Sequence, residues 1–261
     1  MQITTHCYKT NPEKEPILSL FSSRVVLAHI AVFCITDSTS CISLVDLNVI
    51  EQNLADNKKT LIDLVLSDEE KAFFSRFSYL KRQREWLGGR LAVKTALLMS
   101  KPSLVDTEAL QQLTILPDTH GRPQATSISD RAISISHSSR FATGLACLHK
   151  NCGVDIQRIS HKLSRVAGYF SSTAERTLLT DYFSLPPETS LAMLWAAKEA
   201  LKKSILHDHP SIFSGITLQE ISRGDNCYHF TCAVNNRHPA MVTIYNCSPY
   251  ILATTAGDDY A

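Results

Sequence analysis

Gly153-Val154-Asp155-Ile156-Gln157 opens the second half of this 261-residue chain and alternates as a strand does. Residues two apart on a strand share a face, so Asp155 and Gln157 lie opposite Val154 and Ile156. On that basis Val154 and Ile156 are expected to face the core, and Asp155 and Gln157 a cleft or solvent. Downstream, Ser172-Thr173-Ala174-Glu175 has capping-box spacing and predicts a short helix to about Asp181. Pro186-Pro187 breaks the chain, a long helix follows from about Glu188 to Leu206, and strands are expected near residues 226–234, 240–246 and 250–255. Upstream, a strand is read over Val25–Ile35 and a capping box at Ser67-Asp68-Glu69-Glu70, with Phe73, Phe74 and Phe77 at helical spacing behind it. A helix follows over about Lys81–Met99, then alternation over Ala132–Ser136 and a strand over Phe141–Leu148. Both halves run strand, helices, strands, which fits a pseudo-two-fold architecture. His149-Lys150-Asn151 is a polar boundary, so residues 1–23 read as an N-terminal extension, 24–149 as one subdomain and 150–261 as another.

Composition narrows the function classes. The 26 basic and 25 acidic residues nearly cancel, so bulk charge argues for neither nucleic-acid nor membrane binding. The eight cysteines form no CxxC pair and read as small buried hydrophobes in a reducing compartment. Lys9, Glu13, Lys14 and Glu15 stand where a secretory leader would be apolar. The run Val25–Ile35, about 11 residues, is too short to span a bilayer. A cytoplasmic protein is the expectation.

Four segments carry residues capable of chemistry. Asp155 and Gln157 place a carboxylate beside an amide oxygen, which suits a hard cation, although a solvated strand edge has the same pattern. In Trp195-Ala196-Ala197-Lys198-Glu199-Ala200-Leu201-Lys202-Lys203, Trp195, Glu199 and Lys203 recur every four residues on one helical stripe. That stripe serves a metal or a solvated face equally well. In Ile135-Ser136-His137-Ser138 the histidine and serines can donate to a phosphate or cap a turn. Lys81, Arg82, Arg84, Arg90 and Lys94 crowd one helix and its lead-in, which suits a polyanion or simply a soluble face. Two glycines inside that helix, Gly88 and Gly89, point to close packing.

Taken in order, these segments resemble the 4′-phosphopantetheinyl transferase superfamily, in its monomeric surfactin-synthetase-activating branch. Gly153–Gln157 is close to that family's G-[IV]-D-[IV]-E, and Trp195–Lys203 to its W-[ST]-x-K-E-[AS]-x-x-K. Glu85-Trp86-Leu87-Gly88-Gly89-Arg90 is similar to its E-x-L-x-G-R, Gly121-Arg122-Pro123 to its G-[KR]-P, and Ile135–Ser138 to its I-S-H-S. The resemblance covers about residues 67 to 206.

The resemblance implies an α+β fold: a pseudo-two-fold pair of similar subdomains, each a small antiparallel sheet packed with helices. It implies transfer of the 4′-phosphopantetheine arm of coenzyme A to a serine of an apo acyl or peptidyl carrier protein, releasing adenosine 3′,5′-bisphosphate. Asp155, Gln157 and Glu199 would ligate Mg²⁺, with Glu199, Lys203 and Asp155 as the catalytic set. Lys81, Arg82, Arg90, Arg122, Ser136, His137 and Lys198 would bind the phosphates of coenzyme A. Tyr169, Phe170 and the helix after them would receive the carrier. Gln157 stands where the family has an acid, one negative charge fewer at the metal, so weaker Mg²⁺ binding or a changed preference for Mn²⁺ is expected. That departure is also the sequence support for the alternative, a non-catalytic relative that binds coenzyme A or a carrier protein. A third reading is an unrelated Mg²⁺-dependent phosphohydrolase acting without a protein partner.

Overall fold

The computed structural model describes residues 5–7, 15–27, 30–100, 109–126, 128, 130–206, 215–235 and 238–257. The chain forms two units that divide between His149 and Lys150. The first contains β1 (Thr5–Cys7), β2 (Ser23–Leu27), β3 (Ile30–Thr36), β4 (Ser40–Asp46), α1 (Leu47–Asp56), α2 (Lys58–Val65), α3 (Asp68–Phe74), α4 (Leu80–Ser100), α5 (Ala109–Gln112), β5 (Ile115–Pro117), β6 (Pro123–Ala125), β7 (Ala132–Ser138) and β8 (Phe141–Cys147). Its main sheet is antiparallel in the order β1-β2-β3-β4-β8-β7, and β5 and β6 form a separate hairpin. α4 is buried on all sides from Trp86 to Leu98 and packs on β4, β8 and β7. A Cβ at Gly88 would collide with Leu47 of α1, and one at Gly89 would lie 2.9 Å from Ile135 of β7. The glycine pair thus lets α4 settle between helix and sheet.

Two expectations change here. Val25–Ile35 is not one strand but parts of two, with Val25 opposite Val32 and Leu27 opposite Ile30. No Gly, Pro, Asn or Asp marks the reversal, so composition alone could not show it. The segment read as an N-terminal extension contributes to the unit at two places, Thr5–Cys7 as the sheet's edge strand beside β2 and residues 15–23 against its core. A 3₁₀ turn over Pro16–Leu20 buries Ile17, Phe21 follows it inward, and Arg140 binds Glu15.

The second unit contains β9 (Asn151–Arg158), α6 (Lys162–Phe170), α7 (Thr173–Tyr182), α8 (Pro187–Ile205), β10 (Ile216–Arg223), β11 (Tyr228–Val234), β12 (Ala240–Cys247) and β13 (Tyr250–Gly257). Its sheet is antiparallel in the order β10-β11-β12-β13-β9, with α8 laid across β9, β13 and β12. Phe230, Cys232, Val242, Ile244, Ile251 and Ala253 meet Leu194, Ala197 and Leu201 of α8 in the core.

The two units share a chain path. In each, a strand leads through short helices to a long helix and then to a hairpin whose last strand pairs antiparallel with the first: β4 with β8, β9 with β13. They also share an interior device. Ser67 and Ser172 cap α3 and α7 with reciprocal capping boxes to Glu70 and Glu175. Glu70 also accepts the Ile115 N–H at 3.0 Å and binds buried Lys94 of α4. Glu175 accepts the Leu218 N–H at 2.9 Å and binds buried Lys198 of α8. Each carboxylate joins a helix start, a long helix and the chain beyond it. No described helix is long and apolar enough to cross a membrane.

Candidate functional site

The face of β9 that carries Asp155 turns toward α8. Asp155 pairs with Ala253 and Gln157 with Ile251, both core residues beneath that helix. A Cβ at Gly153 would collide with the Ala200 carbonyl, so strand and helix meet there at backbone distance. One step along, Asp155 lies against the next turn of α8. Lys203 Nζ donates to Asp155 Oδ1 at 2.6 Å and to the Val154 carbonyl at 3.1 Å. Asp155 is therefore buried under the helix rather than turned to solvent, and Val154 and Ile156 are buried on the opposite face.

Glu199 lies one turn before Lys203 on the same stripe and is partly buried. Burial, and then the charge of Asp155, raise its carboxyl above the ordinary carboxylate range, while Lys203 and Lys202 pull it down. The two carboxylates feel each other across the strand–helix seam. Gln157, half-exposed two residues on, donates its amide N–H to the Arg158 carbonyl at 2.7 Å. Among the described residues no group of three or more His, Cys, Asp or Glu gathers as a metal cage. Two mutually repelling carboxylates with a nearby amide still form a donor set that fits Mg²⁺. This ion commonly takes one or two protein carboxylates and completes its shell with water and phosphate oxygens.

A second cluster occupies the first unit. A cleft of about 170 Å³ is lined by Arg82, Glu85, Trp86, Gly89 and Arg90 of α4, by Gly121 and Pro123 of the β5–β6 hairpin, and by Ile135 and His137 of β7. Arg82, Glu85–Trp86 and Gly89–Arg90 recur at helical spacing, which puts them on one stripe. Arg90 lies 4.3 Å from the centre of the Trp86 ring and donates through Nε to the Ile115 carbonyl at 3.0 Å. Burial lowers its guanidinium to about 10, so it remains cationic at neutral pH. Arg82 lies over Phe77. Two arginines and a histidine around so small a cleft suit a phosphate-bearing ligand.

The structure sorts the sequence-predicted residues. Asp155, Glu199 and Lys203 come together, with Gln157 beside them. Arg82, Arg90 and His137 come together in the first-unit cleft. Arg122 flanks that cleft, its Nε held 2.8 Å from Asp118 Oδ2, while its neighbours Gly121 and Pro123 line the wall. Lys81 is 78% exposed and lies 3.9 Å from Glu85, outside the lining. Ser136 is a correction: strand alternation buries it on the face opposite His137, and it does not line the cleft. Lys198 is a second correction. Its ammonium is sealed inside the unit, 2.7 Å from Glu175 Oε1 and 2.9 Å from the Phe170 carbonyl, with no room for a phosphate. Phe170 is a third: it is buried edge-on against Trp195, whereas Tyr169 is 77% exposed. Glu85 received no role from the sequence, yet it faces His137 Nδ1 at 4.0 Å within the cleft. Its place one turn after Lys81 and one before Gly89 was the available signal.

Comparison with known proteins bears on the second unit most directly. The sequence profile of the 4′-phosphopantetheinyl transferase superfamily matches residues 151–255. A holo-[acyl-carrier-protein] synthase of a Geobacillus species is 34% identical over 105 residues, 39% of this chain and 87% of that protein. A holo-(acyl-carrier-protein) synthase from Bacillus anthracis, solved in complex with CoA (3′,5′-ADP), superposes with a TM-score of 0.38 at 24% identity over 42% of this chain and 95% of that one. The corresponding synthase from Neisseria meningitidis gives 0.38 at 16% identity over 44% of this chain and all of that one.

Proposed function

The chain belongs to the 4′-phosphopantetheinyl transferase superfamily, and from that premise we propose that it transfers the phosphopantetheine arm of coenzyme A to a serine of an apo acyl or peptidyl carrier protein. The observation that carries the reading is the seam of β9 and α8, where buried Asp155, partly buried Glu199 and Lys203 converge. The first-unit cleft, taken by itself, has the charge for a phosphate-bearing ligand in Arg82, Arg90 and His137, the role that the family resemblance gives them. Two units of one chain path in a single polypeptide suit the surfactin-synthetase-activating branch and a monomeric enzyme.

Asp155 and Glu199, with the Gln157 amide oxygen, would hold Mg²⁺. When bound, that ion neutralises negative charge that builds on the phosphates as the bond breaks. Lys203, already resting against Asp155, supplies a second positive charge at the same place. Glu199 takes the proton of the carrier serine, directly or through water. Its raised carboxyl value makes it a stronger base than an ordinary glutamate while it stays ionised above that value. The serine oxygen forms its bond to the β-phosphorus, the pyrophosphate bond breaks, and adenosine 3′,5′-bisphosphate leaves. Tyr169 and Val166, exposed on α6, offer an apolar surface for the carrier.

The test incubates the chain with apo-carrier proteins, coenzyme A and Mg²⁺ and reads intact carrier mass. A gain of one phosphopantetheine, absent with Asp155→Ala and with Glu199→Ala, is expected. Tight coenzyme A binding with no gain on any acyl, polyketide or peptidyl carrier would overturn transfer and favour the binding-only relative.

A further inference from the structure

A thiol–imidazole pair lies outside both clusters, on the face of the second sheet turned away from α8. Phe230 and Cys232 point into the core, so His229, offset by one residue on β11, projects the other way, and Cys227, in the turn just before the strand, lies against it. Cys227 Sγ lies 3.6 Å from His229 Nε2. Thr243, directly opposite His229 on β12, places its hydroxyl 3.4 Å from Nδ1. With Nδ1–H donating a hydrogen bond to that hydroxyl, Nε2 is the acceptor for the thiol. The turn before β11 is shaped around the pair. The Gly224 N–H donates to the Cys227 carbonyl at 2.9 Å, and a Cβ on Gly224 would stand 2.7 Å from the sulfur and 2.9 Å from Nε2.

Accessibility sets this thiol apart. Of the seven cysteines whose side chains are described, six are buried and Cys227 is partly exposed. Burial pushes the Cys232 and Cys247 thiols up to about 12, which leaves them protonated and inert. Cys227 is partly exposed, with an imidazole at one side and a hydroxyl behind that imidazole.

We propose that Cys227 is a modification site for low-molecular-weight disulfides, with His229 as its base and Thr243 as the group that orients the imidazole. His229 Nε2 takes the thiol proton, and the thiolate attacks one sulfur of the disulfide. The S–S bond of the reagent breaks and a new one forms to Cys227 Sγ. The other half leaves as a thiolate and recovers the proton from the imidazolium, so Cys227 is oxidised and one half of the reagent is reduced. β12 and β13 separate β11 from β9, and the pair lies on the opposite sheet face from Asp155. The inference therefore stands independently of the transfer reaction, and modification is expected to leave transfer unchanged.

The experiment exposes the full chain to glutathione disulfide and follows the Cys227 peptide by mass spectrometry, beside a His229→Gln variant shown to be folded by its melting curve. One glutathionyl group on Cys227, added at least fivefold faster in the wild type than in the variant, is expected; any smaller difference overturns the proposal. A wild-type measurement covers the case in which the variant does not fold. The rate at Cys227 should exceed that of free N-acetylcysteine with the same disulfide at neutral pH, and an equal or slower rate overturns the proposal.

Discussion

Lys198 Nζ lies 2.7 Å from Glu175 Oε1, and both side chains are sealed from solvent. A charge so enclosed must keep its partner, because removing one member strands the other without water. Lys198→Met is therefore expected to lower stability by about 3–5 kcal/mol, while Lys198→Met with Glu175→Leu recovers much of that loss. Urea unfolding of the two variants checks this. Coenzyme A affinity of folded Lys198→Met should match wild type, since the ammonium is not in reach of a ligand.

The same carboxylate sets a pH dependence. Burial opposes the charge of Glu175, but the Leu218 N–H, Lys198 and the Ser172 N–H outweigh it and hold the group below its ordinary 4.5. Its contribution is then complete above 4.5 and is lost as pH falls through the lowered value. Acid unfolding curves should show wild type losing stability over that window more steeply than Glu175→Gln, whose remaining slope comes from other carboxylates held low, Asp37 and Asp118 among them.

Glu199 carries the opposite sign. Its raised carboxyl binds a proton more tightly in the folded chain than in the unfolded one, so stability falls as pH rises between the unfolded and folded values. Glu199→Gln removes that penalty and should melt higher than wild type at pH 7, with the gap closing below the ordinary 4.5, while transfer is lost. Melting curves at the two pH values, with carrier mass as the activity readout, test both halves. A variant that is inactive but less stable at pH 7 would contradict the assignment.

Local signals explain what the sequence made legible. Two capping boxes, the basic helix α4 and the helix behind Pro186-Pro187 carry their start signals in the residues themselves, and the structure places α3, α7, α4 and α8 there. Glu199 and Lys203 were legible because four-residue spacing fixes a helical stripe, and Asp155 because strand alternation sets it on the face opposite Val154 and Ile156. Lys198 was not, because adjacent helix positions diverge by about 100°. A motif lysine next to a motif glutamate therefore points elsewhere, and only the packing of α7 reveals Glu175 as its destination. Ser136 fails beside His137 for the corresponding reason on a strand. The β2–β3 reversal and the burial of Phe170 depend on tertiary partners, Val32 opposite Val25 and Trp195 against the Phe170 ring, which periodicity does not encode.

Tyr169 and Phe170 now separate. Tyr169 is exposed, so Tyr169→Ala should raise KM for the carrier severalfold and leave KM for coenzyme A and the melting temperature nearly unchanged. Phe170→Ala empties a site packed against Trp195 and should cost about 3–5 kcal/mol in stability. Steady-state kinetics with each substrate varied, beside urea unfolding, distinguishes the two roles.

Arg90 anchors the first-unit cleft. Stacked on Trp86 and tied to the Ile115 carbonyl, its guanidinium is held in place before any ligand arrives. Arg90→Met keeps much of the apolar stem and removes the charge. Loss of a charged hydrogen bond of about 1.5–3 kcal/mol corresponds to a roughly tenfold to hundredfold rise in coenzyme A dissociation constant. The variant should discriminate less between coenzyme A and its 3′-dephospho form, which calorimetry with both ligands would show. An equal loss of affinity for both forms would move Arg90 from the 3′-phosphate to another part of the nucleotide.

Gln157 bears most directly on metal binding. Asp155 shares its charge with Lys203, and Glu199 is held back from ionising first by burial and then by Asp155, so the seam offers a cation less negative charge than two free carboxylates would. Gln157→Glu adds a carboxylate on the same strand face and should tighten Mn²⁺ and Mg²⁺ binding about tenfold. It should also raise the Glu199 carboxyl further in the metal-free chain, because a third negative charge favours its protonation. Calorimetric titration of the two ions into wild type and Gln157→Glu, without coenzyme A, reads the first effect apart from activity. Melting curves of metal-free protein read the second. Gln157→Glu should be the less stable chain at pH 7 without metal and the more strongly stabilised one with it. Identical titration curves for the two proteins would remove Gln157 from the metal site.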